Sequence, residues 1–167
     1  MTPWRTWTLL ASAILISVAS ACSTATETGA GQIEVSDARV PVPAGPNGAA
    51  YMTLTNPSDT ADRLISASSD VAEAVELHES TLQDGSMAMQ QVNGIDVPAG
   101  GQATLEPGGY HVMLIGVAEG LAEGDTVALT LSFEQAGEQT VDATVVPLGD
   151  TGADMGSEGH MGMSSER

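Results

Sequence analysis

The stretch GGYHVMLIGV, residues 108–117, decides how the rest of the chain is read. It follows a Pro-Gly-Gly turn signal and is rich in β-branched and aliphatic residues, as a strand requires. Side chains alternate along an extended strand, so Tyr110, Val112 and Leu114 share one face and His111 and Met113 share the other. The first set suits a hydrophobic core. The second places an imidazole and a thioether together, two donors that core packing alone does not call for.

Outward from this strand, the same texture recurs. QIEVSDARV, AAYMTLTN, RLISASS, AVELHES, SMAMQQV, QATLE, DTVALTLSF and QTVDATVVPL are short apolar or alternating runs, and PVPAGPNG, NPSDTAD, VPAGG and EPGG read as the turns between them. Many short strands at this spacing predict an all-β fold, an antiparallel β-barrel or sandwich. Only DVAEAVE, residues 70–76, reads as a helical turn. Beyond the first 21 residues the aromatics are Tyr51, Tyr110 and Phe133, so Val, Leu, Ile and Ala must build most of the core. Residues 32–148 are expected to form a single domain.

The amino-terminal segment, residues 1–21, carries Arg5 and an apolar run from Leu9 to Val18 that is too short for a mature transmembrane helix. It ends in Ala19-Ser20-Ala21 before Cys22, which resembles the lipobox of bacterial lipoproteins. Cys22 is then the lipidated residue, and an ordinary secretory signal cleaved near Ala21 is the alternative. Cys22 is the only cysteine, so the domain has no disulfide. Residues 22–31 are small and polar and read as a flexible tether. Residues 149–167 form an acidic tail unable to bury enough apolar surface to order itself.

The formal charge is −18, with 22 acidic residues, four arginines and no lysine. Such a chain is repelled by nucleic acid and by anionic membrane surfaces, so membrane attachment would come from a lipid on Cys22. Cations are favoured as they approach.

The histidines of the domain are His78 and His111, and Met89 and Met113 stand near them in pattern. Imidazole with thioether suits a soft ion, above all Cu(I), whereas Mg²⁺ and Ca²⁺ want oxygen and Zn²⁺ usually takes Cys, His or carboxylate. Thioethers carry no proton and, unlike thiols, form no disulfide outside the cytosol. Met87 falls on the face of Met89 in a regular strand; core packing is the expectation for it, and a substitute or supporting role beside Met89 is the alternative.

His78 is followed by ten residues and Met89, then by twenty-one and His111, then by one and Met113. This spacing, together with GAAYMTLTN, ADRLISASS, VELHES, LEPGGYHVML and GDTVALTLSFEQAG, resembles the periplasmic copper chaperone family PCu(A)C. The resemblance runs from Gln32 to Leu148. It implies a cupredoxin-like β-barrel and Cu(I) bound by His78, Met89, His111 and Met113. It further implies delivery to membrane cuproenzymes, chiefly the binuclear copper centre of cytochrome c oxidase, with that subunit or a SCO-type assembly protein as partner. The protein would then be exported and lipid-anchored at the outer face of the cell membrane.

Other functions fit less well. A blue-copper electron carrier needs a thiolate ligand, and the single cysteine is at the lipobox. An enzyme needs a nucleophile and base that the sequence does not present. A structural or adhesive β-sandwich lipoprotein without a metal role remains the alternative. In the tail, where Met155 also lies, His160, Met161 and Met163 make a secondary metal site, and Asp154 and Glu158 beside His160 suit Cu(II) there. Such a tether could raise the effective concentration of donors at the folded site.

Overall fold

A computed structural model describes residues 31–83 and 85–150. The signal segment, Cys22, most of the tether and the tail donors Met155, His160, Met161 and Met163 lie outside the described residues.

Ten strands and no helix make up the described chain. They are β1 (Glu34–Pro41), β2 (Asn47–Thr55), β3 (Asp62–Ser68), β4 (Ala72–Gln83), β5 (Ser86–Gln91), β6 (Ile95–Val97), β7 (Gln102–Leu105), β8 (Tyr110–Val117), β9 (Thr126–Phe133) and β10 (Gly137–Val146). They join in one sheet of order β5-β4-β8-β7-β2-β1-β10-β9-β3-β6, with β8 also paired to β2. The sheet doubles over, bringing β3 near β4 and β6 near β7, so that both halves supply one core.

Alternation explains that core. Ala50, Met52 and Leu54 of β2, Val112 and Leu114 of β8, Val127, Leu129 and Leu131 of β9, and Ala143 and Val145 of β10 are all buried at every second position. Burial of such aliphatic side chains contributes on the order of 2 kcal/mol each, which carries a fold that has no disulfide in its described part. Asp62 is the buried carboxylate of the far half. It accepts hydrogen bonds from the backbone N–H groups of Arg63, Gln135 and Ala136, and so ties the start of β3 to the β9–β10 turn.

The all-β expectation holds, with three corrections. The segment 70–76 contains no helical turn: it leads into β4, whose residues from Ala72 to Glu79 pair with β8, and this pairing overrides the helical preference of Ala and Glu. Val97, read as part of a turn, is fully buried in the three-residue strand β6, paired to Asp62 of β3. The sheet is not wholly antiparallel, because β1 runs parallel to β10 and β7 meets β8 in a parallel bridge.

β1 also bends. Asp37 has φ 53°, a left-handed conformation that Asp tolerates better than most residues, and the β1–β2 register shifts between Ser36 and Arg39. Beyond this bulge Arg39 pairs with Tyr51, and its guanidinium lies 5.9 Å from the centre of the Tyr51 ring.

Candidate metal centre

β8 runs beside β4, and the antiparallel register sets His111 directly opposite His78 and Met113 opposite Glu76. On the other side of β4, Ser80 pairs with Met89 of the edge strand β5. Directly paired residues lie on the same face, and residues two apart keep it. His78, Met89, His111 and Met113 therefore project from one face of three adjacent strands, opposite the face that Leu77, Val112 and Leu114 bury in the core.

The two imidazole rings are 5.8 Å apart, centre to centre. Such a separation lets two rings flank one ion at metal–nitrogen bonds of roughly 2 Å. His111 is almost wholly buried, at 3% exposure, and its ring also meets Tyr51 at 6.4 Å. Its Nδ1 lies 3.3 Å from the carbonyl oxygen of Gly109, whereas Nε2 is buried without a partner. His78 places Nε2 2.8 Å from Oε2 of Glu76, and here Nδ1 is the buried nitrogen without a partner. Buried polar atoms are nearly always satisfied, so two unsatisfied ring nitrogens on facing side chains form an unfilled pair of donors.

His111, Met113 and Met89 line one cavity of about 400 Å³, walled by Tyr51, the 41–44 segment, Pro107, Gly108, Leu148 and Gly149. His78 does not line it and joins the others through its contact with His111. Met89 is 56% exposed, so the donor set runs from a buried imidazole to an open thioether. Met87 does not pack in the core: it is 60% exposed on the face of Met89, paired with the exposed Leu82. A larger depression of about 490 Å³ between residues 43–46 and 117–121 contains no histidine or methionine. Among the described residues no three His, Cys, Asp or Glu side chains gather as a metal site. The donors that do gather are nitrogen and thioether sulfur, a set suited to a soft ion.

Burial pushes the His111 imidazole below the ordinary histidine range; the Gly109 carbonyl opposes this, and the neighbouring His78 adds a smaller downward push. The neutral ring is thus favoured in the fold, which is the form able to donate a lone pair. Because the folded-state pKa is depressed, His111 contributes stability that is present above about pH 6.5 and is lost as pH falls through its folded value. The metal-free protein should therefore lose stability on acidification more steeply than His111→Gln. Denaturant midpoints measured from pH 8 to pH 5 test this, and parallel profiles would refute it.

Sequence reasoning missed Glu76 and Tyr51. Glu76 was readable, since a residue two before His78 in a strand shares its face. Tyr51 was not, because its approach to His111 depends on β2 pairing with β8.

A doubled-over β-sheet with imidazole and thioether donors on one outer face is a cupredoxin-like domain carrying a soft-metal donor set. The description "LpqE-like", a lipoprotein family, matches residues 33–145. A Leifsonia xyli subsp. xyli protein named as a lipoprotein, Lxx21020, is 31% identical over 119 residues, covering 71% of this chain and 70% of the relative. Among solved structures, the copper-bound PCuAC domain from PmoF2 is similar with a TM-score of 0.60 and 29% identity, over 71% of this chain and 96% of that one. The solution structure of CuI-DR1885 from Deinococcus radiodurans is similar with a TM-score of 0.56 and 36% identity, over 69% of this chain and 78% of that one. The chain belongs to the LpqE-like lipoprotein family, which is the PCu(A)C group, and its fold is the cupredoxin-like fold of that group.

Proposed function

We propose that this protein is an extracytoplasmic copper chaperone that holds one Cu(I) through His78, Met89, His111 and Met113. The observation that carries the reading is the pair of buried, unpartnered ring nitrogens, His78 Nδ1 and His111 Nε2, on directly paired residues. The copper-bound PmoF2 domain and CuI-DR1885 support it as similar proteins that bind copper. The cargo rests on one buried and one half-buried imidazole and is reached past an exposed thioether, an arrangement suited to transfer: the acceptor attacks from the Met89 side while the histidines still hold the ion. The recipient in this reading is a membrane cuproenzyme, the binuclear copper centre of cytochrome c oxidase, reached directly or through a SCO-type assembly protein. The lipoprotein family supports export and anchoring through Cys22.

Leu is close to Met in volume but has no sulfur, so Met→Leu removes a donor while leaving packing nearly intact. Met113→Leu and Met89→Leu are each expected to weaken Cu(I) binding by on the order of 10-fold. Competition against a Cu(I) chelator measures this. Wild-type affinity in both variants would remove the thioethers from the site, and no Cu(I) binding by the wild type would leave a structural lipoprotein.

A further inference from the structure

We infer that Glu76 is a positioning residue that fixes which nitrogen of His78 faces the metal. The inference rests on the copper reading above. Glu76 and His78 lie two apart on β4 and point from the same face, and Oε2 of Glu76 is 2.8 Å from Nε2 of His78. An ionised carboxylate can only accept a hydrogen bond, so the neutral ring facing it must carry its proton on Nε2 and its lone pair on Nδ1. Nδ1 is the nitrogen that is buried without a partner. His111 reaches the complementary result by another route. A carbonyl also only accepts, so the Gly109 oxygen selects the Nδ1–H form and leaves the lone pair on Nε2, again the unpartnered atom.

Each histidine is thus held in the tautomer whose free nitrogen is the unsatisfied one, in one case by backbone and in the other by a side chain. Backbone geometry survives most substitutions, whereas the His78 arrangement depends on one carboxylate. When Nδ1 donates to a cation, Nε2–H becomes a stronger donor, and the Glu76 carboxylate stabilises the positive charge spread into the ring.

Glu76 is half-buried, and its side chain is 33% exposed, so Glu76→Gln should fold. An amide can donate as well as accept, so it no longer selects one tautomer. The experiment uses residues 22–167, with both ends retained, and reads the histidine ring nitrogens by ¹⁵N NMR at pH 8 without metal, followed by Cu(I) titration against a chelator. The wild type is expected to show His78 as the Nε2–H form. Glu76→Gln should show a mixture at His78, an unchanged His111, and Cu(I) affinity lower by about 10-fold. Glu76→Asp, which keeps the carboxylate, should restore part of the tautomer preference. The inference is overturned if wild-type His78 carries its proton on Nδ1, if Glu76→Gln leaves the tautomer unchanged, or if the tautomer shifts and Cu(I) affinity does not. Because the tautomer is read without metal, a wild type that shows the expected His78 form but binds no Cu(I) locates the failure in the copper reading and removes the role with it.

Discussion

His111→Gln is expected to lower Cu(I) affinity by more than about 100-fold, beyond the roughly 10- to 100-fold that loss of a ligand's hydrogen-bond partner costs, because a ligand itself is removed, while changing the stability of the metal-free protein by less than about 1 kcal/mol. The two effects separate because of how His111 is held. It is 3% exposed and its Nε2 has no partner in the fold, so removing that nitrogen breaks no hydrogen bond. The lost contact is the long bond from Nδ1 to the Gly109 carbonyl, at 3.3 Å, and a Gln side-chain amide can donate to the same oxygen. What the variant lacks is the imidazole nitrogen donor at the unpartnered Nε2. Chelator competition and denaturant unfolding, run on the same preparation, decide the matter. Affinity retained would remove His111 from the site, and a large loss of stability with affinity retained would make it a structural residue.

The opposite separation is expected three positions along the chain. Leu114→Ala should destabilise the protein by about 3 kcal/mol and lower its melting temperature by more than about 10 °C. Leu114 is fully buried, and β8 sets it opposite Val75 on β4 and Gly48 on β2. Gly48 brings no side chain that could move into the space, so the cavity left by truncation stays largely open. The donors lie on the other face of β8 and keep their chemistry. Cu(I) added to the folded variant should therefore still raise its melting temperature, as ligand linkage requires. A loss below about 1 kcal/mol would show that the core does not depend on this strand.

How far these features were legible follows from the distance over which each is determined. His111 and Met113 share a face because of a rule that acts within one strand, and nine of the ten strands were marked by runs long enough to show alternation or apolar content. β6 was not. Ile95–Val97 spans three residues between Gly94 and Pro98, too few to show a period, and it is a strand only because β3 pairs with it and its Arg63 meets Asp96. The segment 70–76 failed in the other direction, since its Ala and Glu residues favour a helix locally and only β8 holds their continuation extended. The parallel pairing of β1 with β10 joins the two ends of the domain, and no local pattern encodes it. At the site, the sequence showed which residue types and intervals occur. It could not show that Tyr51 and the chain around Pro41 wall the cavity that His111 lines, nor that Met87 stands open to solvent rather than in the core.

The hairpin and strand pairings that collect the four donors make the site unequally sensitive to length changes. One residue inserted between His111 and Met113 would reverse the parity of β8 and send one of the two into the hydrophobic interior. One inserted within β4 or β5, between His78 and Met89, would turn Met89 away or shift it along the hairpin, unless the extra residue is taken up at the turn around Gly85. The long interval from Met89 to His111 is different, because it leaves the face altogether, runs through β6 and β7, and returns by the turn at Gly108 and Gly109. Residues added in its loops would lengthen the excursion without changing the return register. The same metal set can thus be kept by chains of differing length, provided that the growth falls in that excursion and the two short intervals stay fixed.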